Sequence, residues 1–316
     1  MSRLVFPSNG FYKILALALF FFPPPLGMEG EGESFTLLLE YSAHPYHTPI
    51  YVALKEGFFA EEGIEVYIKQ YSEKIDPFSF LVTHQNTLVV TYFYRALRYL
   101  DRNTPLIWIA SLVDHPLIGL LLTSPFPKIV GSPMGEFTSL LVKEMQNKQL
   151  FDEKRAVNWK KIDSDGTLLL ASGNMGGMLG AFEAIEEEQL KSMGIATQWI
   201  SLARELSIPS YPELVLIGNR NYFSSHCHLA SSIRRALQKA QSFCQRDEER
   251  AFSHYRRWRE GRERHWEKNS WKRIHSNLSV EEGDGPASVA FIDWLYQRGY
   301  LQQTPERLSA LFFFDS

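Results

Sequence analysis

LLLEYSAHPYHTPIYVALKEGFFAEEGIEVYIKQ, residues Leu37 to Gln70, carries the pattern from which the fold is read. It opens on the apolar run Thr36 to Leu39. A turn-like segment follows, holding Tyr41, His44, Tyr46 and His47 among Ser42, Pro45 and Pro49. After Pro49, the residues Ile50, Ala53, Leu54, Phe58 and Phe59 recur at helical spacing, and Gly63 stands where a helix would stop. Ile64, Val66 and Ile68 then alternate with Glu65, Tyr67 and Lys69, the period of a half-buried strand. Strand, polar-aromatic loop, helix and strand in that order form a right-handed crossover of a parallel sheet, and such units place ligands at the carboxyl ends of their strands. The loop with the two histidines occupies that position.

Outward from this stretch, the chain of 316 residues is 45% hydrophobic and 22% charged, a globular composition with length for two domains. Lys+Arg 33 against Asp+Glu 36 leaves a formal charge of -3, so no global field points to nucleic acid. At the N-terminus, Arg3 and Lys13 precede the apolar run Ile14 to Phe22 and the break Pro23-Pro24-Pro25. A basic flank, a short apolar centre and a break fit a secretory signal over roughly residues 1–30, because a membrane span needs ~20 apolar residues. A retained apolar anchor is the alternative. No cysteine lies near the segment, which excludes a lipid-modified N-terminal Cys. The expected location is exported and periplasmic.

Beyond Gln70, strands are expected at Leu88–Val90, Leu106–Val113, Lys128–Val130, Met178–Phe182 and Leu214–Ile217, and helices at Tyr92–Asp101, Glu136–Leu150, Glu183–Met193, Leu229–Phe243 and Ala290–Tyr300. The apolar run Leu117–Leu122 leads into Thr123-Ser124-Pro125-Phe126-Pro127, a first linker, and Ser207-Ile208-Pro209-Ser210-Tyr211-Pro212 is a second. Asn158 to Thr167 reads as loop. Two linkers around a central βα segment predict an α/β chain in two lobes, residues 35–123 plus 212–316 in one and 124–211 in the other, with a hinge and a ligand cleft between them.

Cys227 and Cys244 flank the helical face Leu229, Ile233, Leu237, Ala240 and Phe243. A helix of that length holds its ends roughly 22 Å apart, whereas a disulfide needs Cα atoms within about 7 Å, so two free, core-filling thiols are expected. The triplet His226-Cys227-His228 would put its histidines on one face if it were a strand, but no companion ligands accompany it, and no metal is implied. In Tyr255 to His275, basic residues alternate with Trp258, Trp266 and Trp271, which reads as a solvated helix with its aromatics packed inward rather than a nucleic-acid surface. The acidic helix carries Glu183, Glu186, Glu187 and Glu188. Most of these belong on a solvated face, whereas Glu186, one turn past a strand end, could look into the cleft. The Gly131–Gly135 loop enters a helix and could meet an anionic or polar ligand edge, or only water. The rings of Tyr41, His44, Tyr46 and His47 suit stacking on a flat heteroaromatic ligand, with Glu186 accepting hydrogen bonds from an amino group; packed turn residues are the other reading.

Pro45-Tyr46-His47-Thr48-Pro49-Ile50-Tyr51-Val52-Ala53, Gly57-Phe58-Phe59 and Glu62-Gly63-Ile64-Glu65-Val66 closely resemble the opening of solute-binding proteins serving ABC importers of thiamine pyrimidine precursors and sulfonates. They are similar also to thiamine pyrimidine synthase, which shares the fold. The likeness continues in Ala110–Asp114, Gly135-Glu136-Phe137, Gly180-Ala181-Phe182 with Glu186, and Tyr211–Leu216. The resemblance implies a type II periplasmic-binding fold closing on a pyrimidine, a ring at Tyr41 stacking on the ligand, and Glu186 with the Tyr211 region holding its polar edge. Tyr46, His47, Glu136 and Phe182 complete the expected contacts. Relatives usually carry Asn-Trp where this chain has Glu40-Tyr41, which keeps stacking and alters polar contacts.

The implied function is capture of a thiamine-related aminopyrimidine, of hydroxymethylpyrimidine or formylaminopyrimidine type, for an ABC permease, without catalysis or cofactor. The alternatives are a synthase-like enzyme, a binder of another aromatic or a sulfonate, and a binding protein turned sensor. The synthase holds pyridoxal phosphate on a lysine and consumes a nearby histidine, and the corresponding positions here are Thr91 and Arg95. It also needs a cysteine-rich iron motif, and Tyr211 to Asn219 contains no cysteine.

Overall fold

The computed structural model describes residues 33–39, 43–69, 75–132, 135–150, 157–162, 166–259, 264–280 and 285–312. The expected signal segment lies outside them.

Two five-stranded sheets form the frame. The first takes β1 (Glu33–Leu39), β2 (Ile64–Lys69), β3 (Thr87–Tyr92) and β4 (Leu106–Val113) before the chain leaves it. The second sheet collects β5 (Ile118–Leu122), β6 (Ile129–Ser132), β7 (Asn158–Lys161), β8 (Gly177–Phe182) and β9 (Gln198–Ser201), and β10 (Leu214–Asn219) returns to the first. The orders are β2-β1-β3-β10-β4 and β7-β6-β8-β5-β9. In each sheet the strand that has just crossed from the other runs antiparallel to its neighbours: β10 to β3 and β4, and β5 to β8 and β9. Home strands linked by helical crossovers pair in parallel, as β1 does with β2 and β3.

The opening stretch behaves as its periodicity requires. Glu33 pairs with Ile64 and Leu37 with Ile68 in a parallel register. Phe35, Leu37 and Leu39 enter one apolar cluster while Leu38 enters the other, the mark of a strand covered on both faces. The single expected helix is two, Thr48–Lys55 and Phe58–Glu61. Gly57 adopts φ 81° between them, a left-handed conformation that ends the first helix and that glycine reaches without a Cβ penalty.

Several expectations change. Leu117–Leu122 contributes β5 to the second sheet, so the first crossover is residues 114–117 and not the later proline-rich segment. Asn158–Lys161 is a strand rather than a loop, and Gly166–Ala171 a helix. The basic tract holds two helices, Glu248–Trp258 and His265–Ile274. His226 stands at the junction of the helices Arg220–Ser225 and Cys227–Arg246, and His228 lies in the first turn of the second, so the triplet is not a strand and its histidines do not alternate on one sheet face. Both thiols are free as expected, but only Cys244 is buried and Cys227 is exposed. Close approach is visible at Gly119 of β5, where a Cβ would overlap the Trp199 ring of β9.

Candidate functional site

Aromatic rings from both lobes meet at the carboxyl ends of three strands. After β1, the turn Pro45–His47 is fixed by its own imidazoles: His44 Nδ1 accepts the Tyr46 N–H at 3.3 Å, and His47 Nδ1 accepts the His44 N–H at 3.2 Å. The two imidazoles stack at 4.1 Å. Burial depresses the His44 pKa to about 3, and burial followed by the neighbouring His44 holds His47 well below its ordinary value. Both rings are therefore neutral near pH 7 and behave as flat polar surfaces, not as cations. Tyr46 meets Phe182, the last residue of β8, edge-on at 6.0 Å, and Tyr92, the last residue of β3, meets the same ring at 6.1 Å. Burial raises the Tyr46 hydroxyl pKa, and the charge of Glu186 adds to the effect.

Glu186 lies in a π-turn, Glu183–Glu187, directly after β8. Its Oε2 accepts the Phe182 N–H at 2.7 Å, so the carboxylate closes the first turn of its own helix while standing half-buried beside Tyr46. A widened turn of this kind is a recurrent device at functional sites. Three other carboxylates of this helix engage one cation from the opposite lobe. Arg273 reaches Glu183 at 2.9 Å, Glu187 at 3.1 Å and Glu188 at 2.7 Å. The solvated face expected for them is an interlobe ion network.

Glu136 is carried on the opposite flank. It is mostly exposed and pairs with Arg98 at 2.9 Å and Arg102 at 3.4 Å, across the lobe boundary. Phe137 beside it stacks on Tyr94 at 4.1 Å, and Glu144 of the same helix meets Arg298 at 2.9 Å. Tyr211 is fully buried, stacked on Phe291 at 3.9 Å. Tyr46, His47, Phe182 and Glu186 thus come together, while Glu136 and Tyr211 stand at lobe contacts around them. Tyr41 lies outside the described residues, as do Pro133 and Met134 of the loop before the helix Glu136–Asn147.

The residue that sequence reasoning missed is Glu213. It sits in the second crossover with no exposed surface, and its Oε2 accepts the N–H groups of Leu117 at 2.8 Å, at the end of the first crossover, and of Ile118 at 3.3 Å, the first residue of β5. Tyr211 donates its hydroxyl to the same oxygen at 3.2 Å, and the Glu213 carbonyl accepts the Phe93 N–H at 3.2 Å. One carboxylate thereby ties both crossovers to the first lobe. Burial lifts its pKa to about 7, against the lowering effect of the donors around it. Its second oxygen, Oε1, is buried without a partner among the described residues. The available signal was an acid set directly before the wholly apolar run Leu214–Ile217.

Thr91 is buried in β3, and the Arg95 guanidinium lies 5.9 Å from the Phe78 ring centroid. Neither offers an amine to a Schiff base, and Phe93–Asp101 contains no lysine, so the residues at these positions do not fit pyridoxal phosphate. Among the described residues, no cluster of three or more His, Cys, Asp or Glu side chains is placed to hold a metal ion. No helix among them is long and apolar enough to cross a membrane.

Two α/β lobes joined by two crossovers, with rings from both meeting at the strand ends, define a periplasmic-binding-protein fold. The same fold is seen in the alkanesulfonate-binding protein SsuA of Xanthomonas axonopodis pv. citri bound to MOPS, with TM-score 0.66 over 91% of this chain and 100% of that one. At 11% identity, that likeness is one of fold. The pattern of the NMT1/THI5-like family matches residues 44–251, and the chain belongs to that family. It is 24% identical over 216 residues to the formylaminopyrimidine-binding protein of Halalkalibacterium halodurans, covering 66% of this chain and 65% of that one. It is 25% identical over 227 residues to the 4-amino-5-hydroxymethyl-2-methylpyrimidine phosphate synthase of Uromyces fabae, covering 65% of each. The chain thus spans just under two thirds of the length of these two relatives.

Proposed function

We propose that this chain is an exported solute-binding protein that captures a thiamine-related aminopyrimidine between its lobes and delivers it to an ABC-importer permease. The observation that carries this reading is the convergence of Tyr46 and Tyr92 from one lobe with Phe182 and Glu186 from the other. Opening at the crossovers would part Phe182 from the two tyrosines and admit a flat heterocycle between the rings. Closing would then bring Glu186 to the amino edge of the ring, beside His47. In this reading the moving bodies are residues 33–113 with 214–312, and 118–206, while Glu136 and Tyr211 serve the lobe contacts. Binding is favoured over synthesis because Thr91 and Arg95 cannot supply the amine and imidazole that the enzyme chemistry needs.

A thermal-shift screen tests the proposal. Hydroxymethylpyrimidine or formylaminopyrimidine at a hundredfold excess over Kd should add about 2.7 kcal/mol to stability, an easily read rise in Tm. Phe182→Ala and Glu186→Gln should each remove most of that shift while leaving the ligand-free protein folded. No response to either pyrimidine, with a clear response to an alkanesulfonate, would defeat the reading.

A further inference from the structure

Glu183, Glu186, Glu187 and Glu188 crowd into the turn and helix start directly after β8. Acidic groups suit the first turn of a helix, but Glu183 and Glu187, four residues apart, also repel one another. Their own helix offers them one cation: Lys191 Nζ lies 2.9 Å from Glu187 and 3.8 Å from Glu188. For Glu183 the ionic partner among the described residues is Arg273, which comes from the first lobe and meets Glu187 and Glu188 as well. A guanidinium presents five N–H donors in a fixed plane, so one arginine can engage all three carboxylates where a lysine would act as a point charge.

These three carboxylates flank Glu186 in the chain, one before it and two after, around the widened turn. Glu186 itself accepts the Phe182 N–H at 2.7 Å and stands beside Tyr46. The charge of Arg273 reaches the same ring: burial raises the Tyr46 hydroxyl pKa, the Glu186 carboxylate adds to the rise, and Arg273 opposes it. Arg273 is anchored at its base. Trp271, two residues earlier, is 2% exposed and donates its Nε1 to the Glu248 carbonyl at 2.8 Å, and the Asn277 side-chain amide donates to the Arg273 carbonyl at 3.1 Å. We infer that Arg273 is a positioning residue of the cleft: by spanning Glu183, Glu187 and Glu188 from the first lobe, it fixes the turn that sets Glu186 against the Phe182 N–H and beside Tyr46.

Arg273 and the acidic turn belong to different lobes, so opening the lobes strips the turn of its arginine and leaves three carboxylates with Lys191 alone. Like-charge repulsion then loosens the turn, and closure restores it. Order at Glu186 is thereby coupled to lobe closure, since a contact made in one state and not in the other is what shifts a conformational equilibrium. For a bound molecule the consequence lies in dissociation rather than encounter, because the open lobes lack the contact. That consequence rests on the cleft taking an aminopyrimidine, whereas the grip of Arg273 on the turn does not.

Amide hydrogen exchange of the whole, ligand-free protein tests the grip at Phe182, whose N–H bonds to Glu186. In Arg273→Met the Phe182 amide should exchange about fivefold faster, over and above any change at the amides of β4, with Arg273→Lys falling between that variant and wild type. Raising NaCl to 1 M should speed exchange at Phe182 in wild type and leave it unmoved in Arg273→Met. With formylaminopyrimidine or hydroxymethylpyrimidine as ligand, koff by stopped flow should rise about fivefold in Arg273→Met while kon stays within about twofold. That rise should vanish in a Glu186→Gln background, because the arginine acts through the glutamate. Phe182 exchange that changes no more than the β4 amides, or additive effects of the two substitutions on koff, would overturn the inference. If neither pyrimidine binds, the proposed ligand fails, and exchange at Phe182 still decides the role of Arg273.

Discussion

Glu213 and the His44–His47 pair are residues whose burial sets opposite pH dependences. The Glu213 pKa rises from an ordinary 4.5 to about 7 on folding. Its contribution is therefore fully present below pH 4.5 and is lost as pH rises through 7, because above 4.5 the unfolded chain ionises more readily than the native one. The loss across that window is on the order of 3 kcal/mol. His44 runs the other way: its pKa falls from 6.5 to about 3, so its contribution is present above 6.5 and is lost as pH falls toward 3. His47 has the same sign. Glu213→Gln removes only the first component. Relative to wild type, the variant should gain about 3 kcal/mol between pH 4.5 and pH 8, on top of a pH-independent change from the altered hydrogen bonds. Urea denaturation at several pH values checks this, and parallel stability curves for the two proteins would show that Glu213 does not titrate in the native state near neutrality.

At the scale of elements, the helix His265–Ile274 is the part whose role changes most. It is anchored in the first lobe through Trp271, whose Nε1 donates to the Glu248 carbonyl at 2.8 Å, and Arg273 in its last turn grips the acidic helix of the second lobe. Burial alone would raise the Glu187 pKa, yet Lys191 and Arg273 together hold it below its ordinary value. Because Arg273 is about one-third exposed, solvent screens the network, and its worth is about 1 kcal/mol rather than the sum of its pairs. Arg273→Met, which keeps the stem, should lower stability by about 1 kcal/mol at low salt and by much less at 1 M NaCl, where the Debye length is about 3 Å. A salt-independent loss would mean that packing, not charge, makes the contact.

Elements with a buried periodic face were legible in the sequence. Leu106–Val113 is a strand to the residue, and the turn, helix and strand of residues 43–69 follow from Pro49, Gly63 and the alternation after it. Asn158–Lys161 was not legible, because an edge strand reading NWKK buries no alternate apolar residue. The sheet to which Ile118–Leu122 belongs was not legible either, since an apolar run records that it is buried and not against what. In the site, the convergence of Tyr46, His47, Phe182 and Glu186 was readable from loop chemistry and family likeness. Glu213 and Arg273 were not, because each acts across a long sequence separation that no local spacing encodes.

At the scale of the molecule, the two lobes do not have wholly separate cores. One apolar cluster contains Leu38, Val89 and Val215 from the first sheet together with Leu120, Val130 and Leu179 from the second. It is bridged by Phe137, Leu140 and Leu141 of the helix Glu136–Asn147. A shared cluster couples the stability of the lobes, because unfolding either would strip apolar cover from the other at about 25 cal/mol per Å² exposed. Ligand-free protein should therefore unfold in a single transition, with calorimetric and van't Hoff enthalpies equal. Leu141, fully buried in the bridging helix, gives the sharper test. Leu141→Ala should cost about 2–5 kcal/mol and move the whole transition together, whether followed at a tryptophan of the first lobe, such as Trp271, or at Trp199 of the second. Two resolved transitions, or a shift confined to the Trp199 signal, would show that the lobes are energetically independent and that the crossovers alone join them.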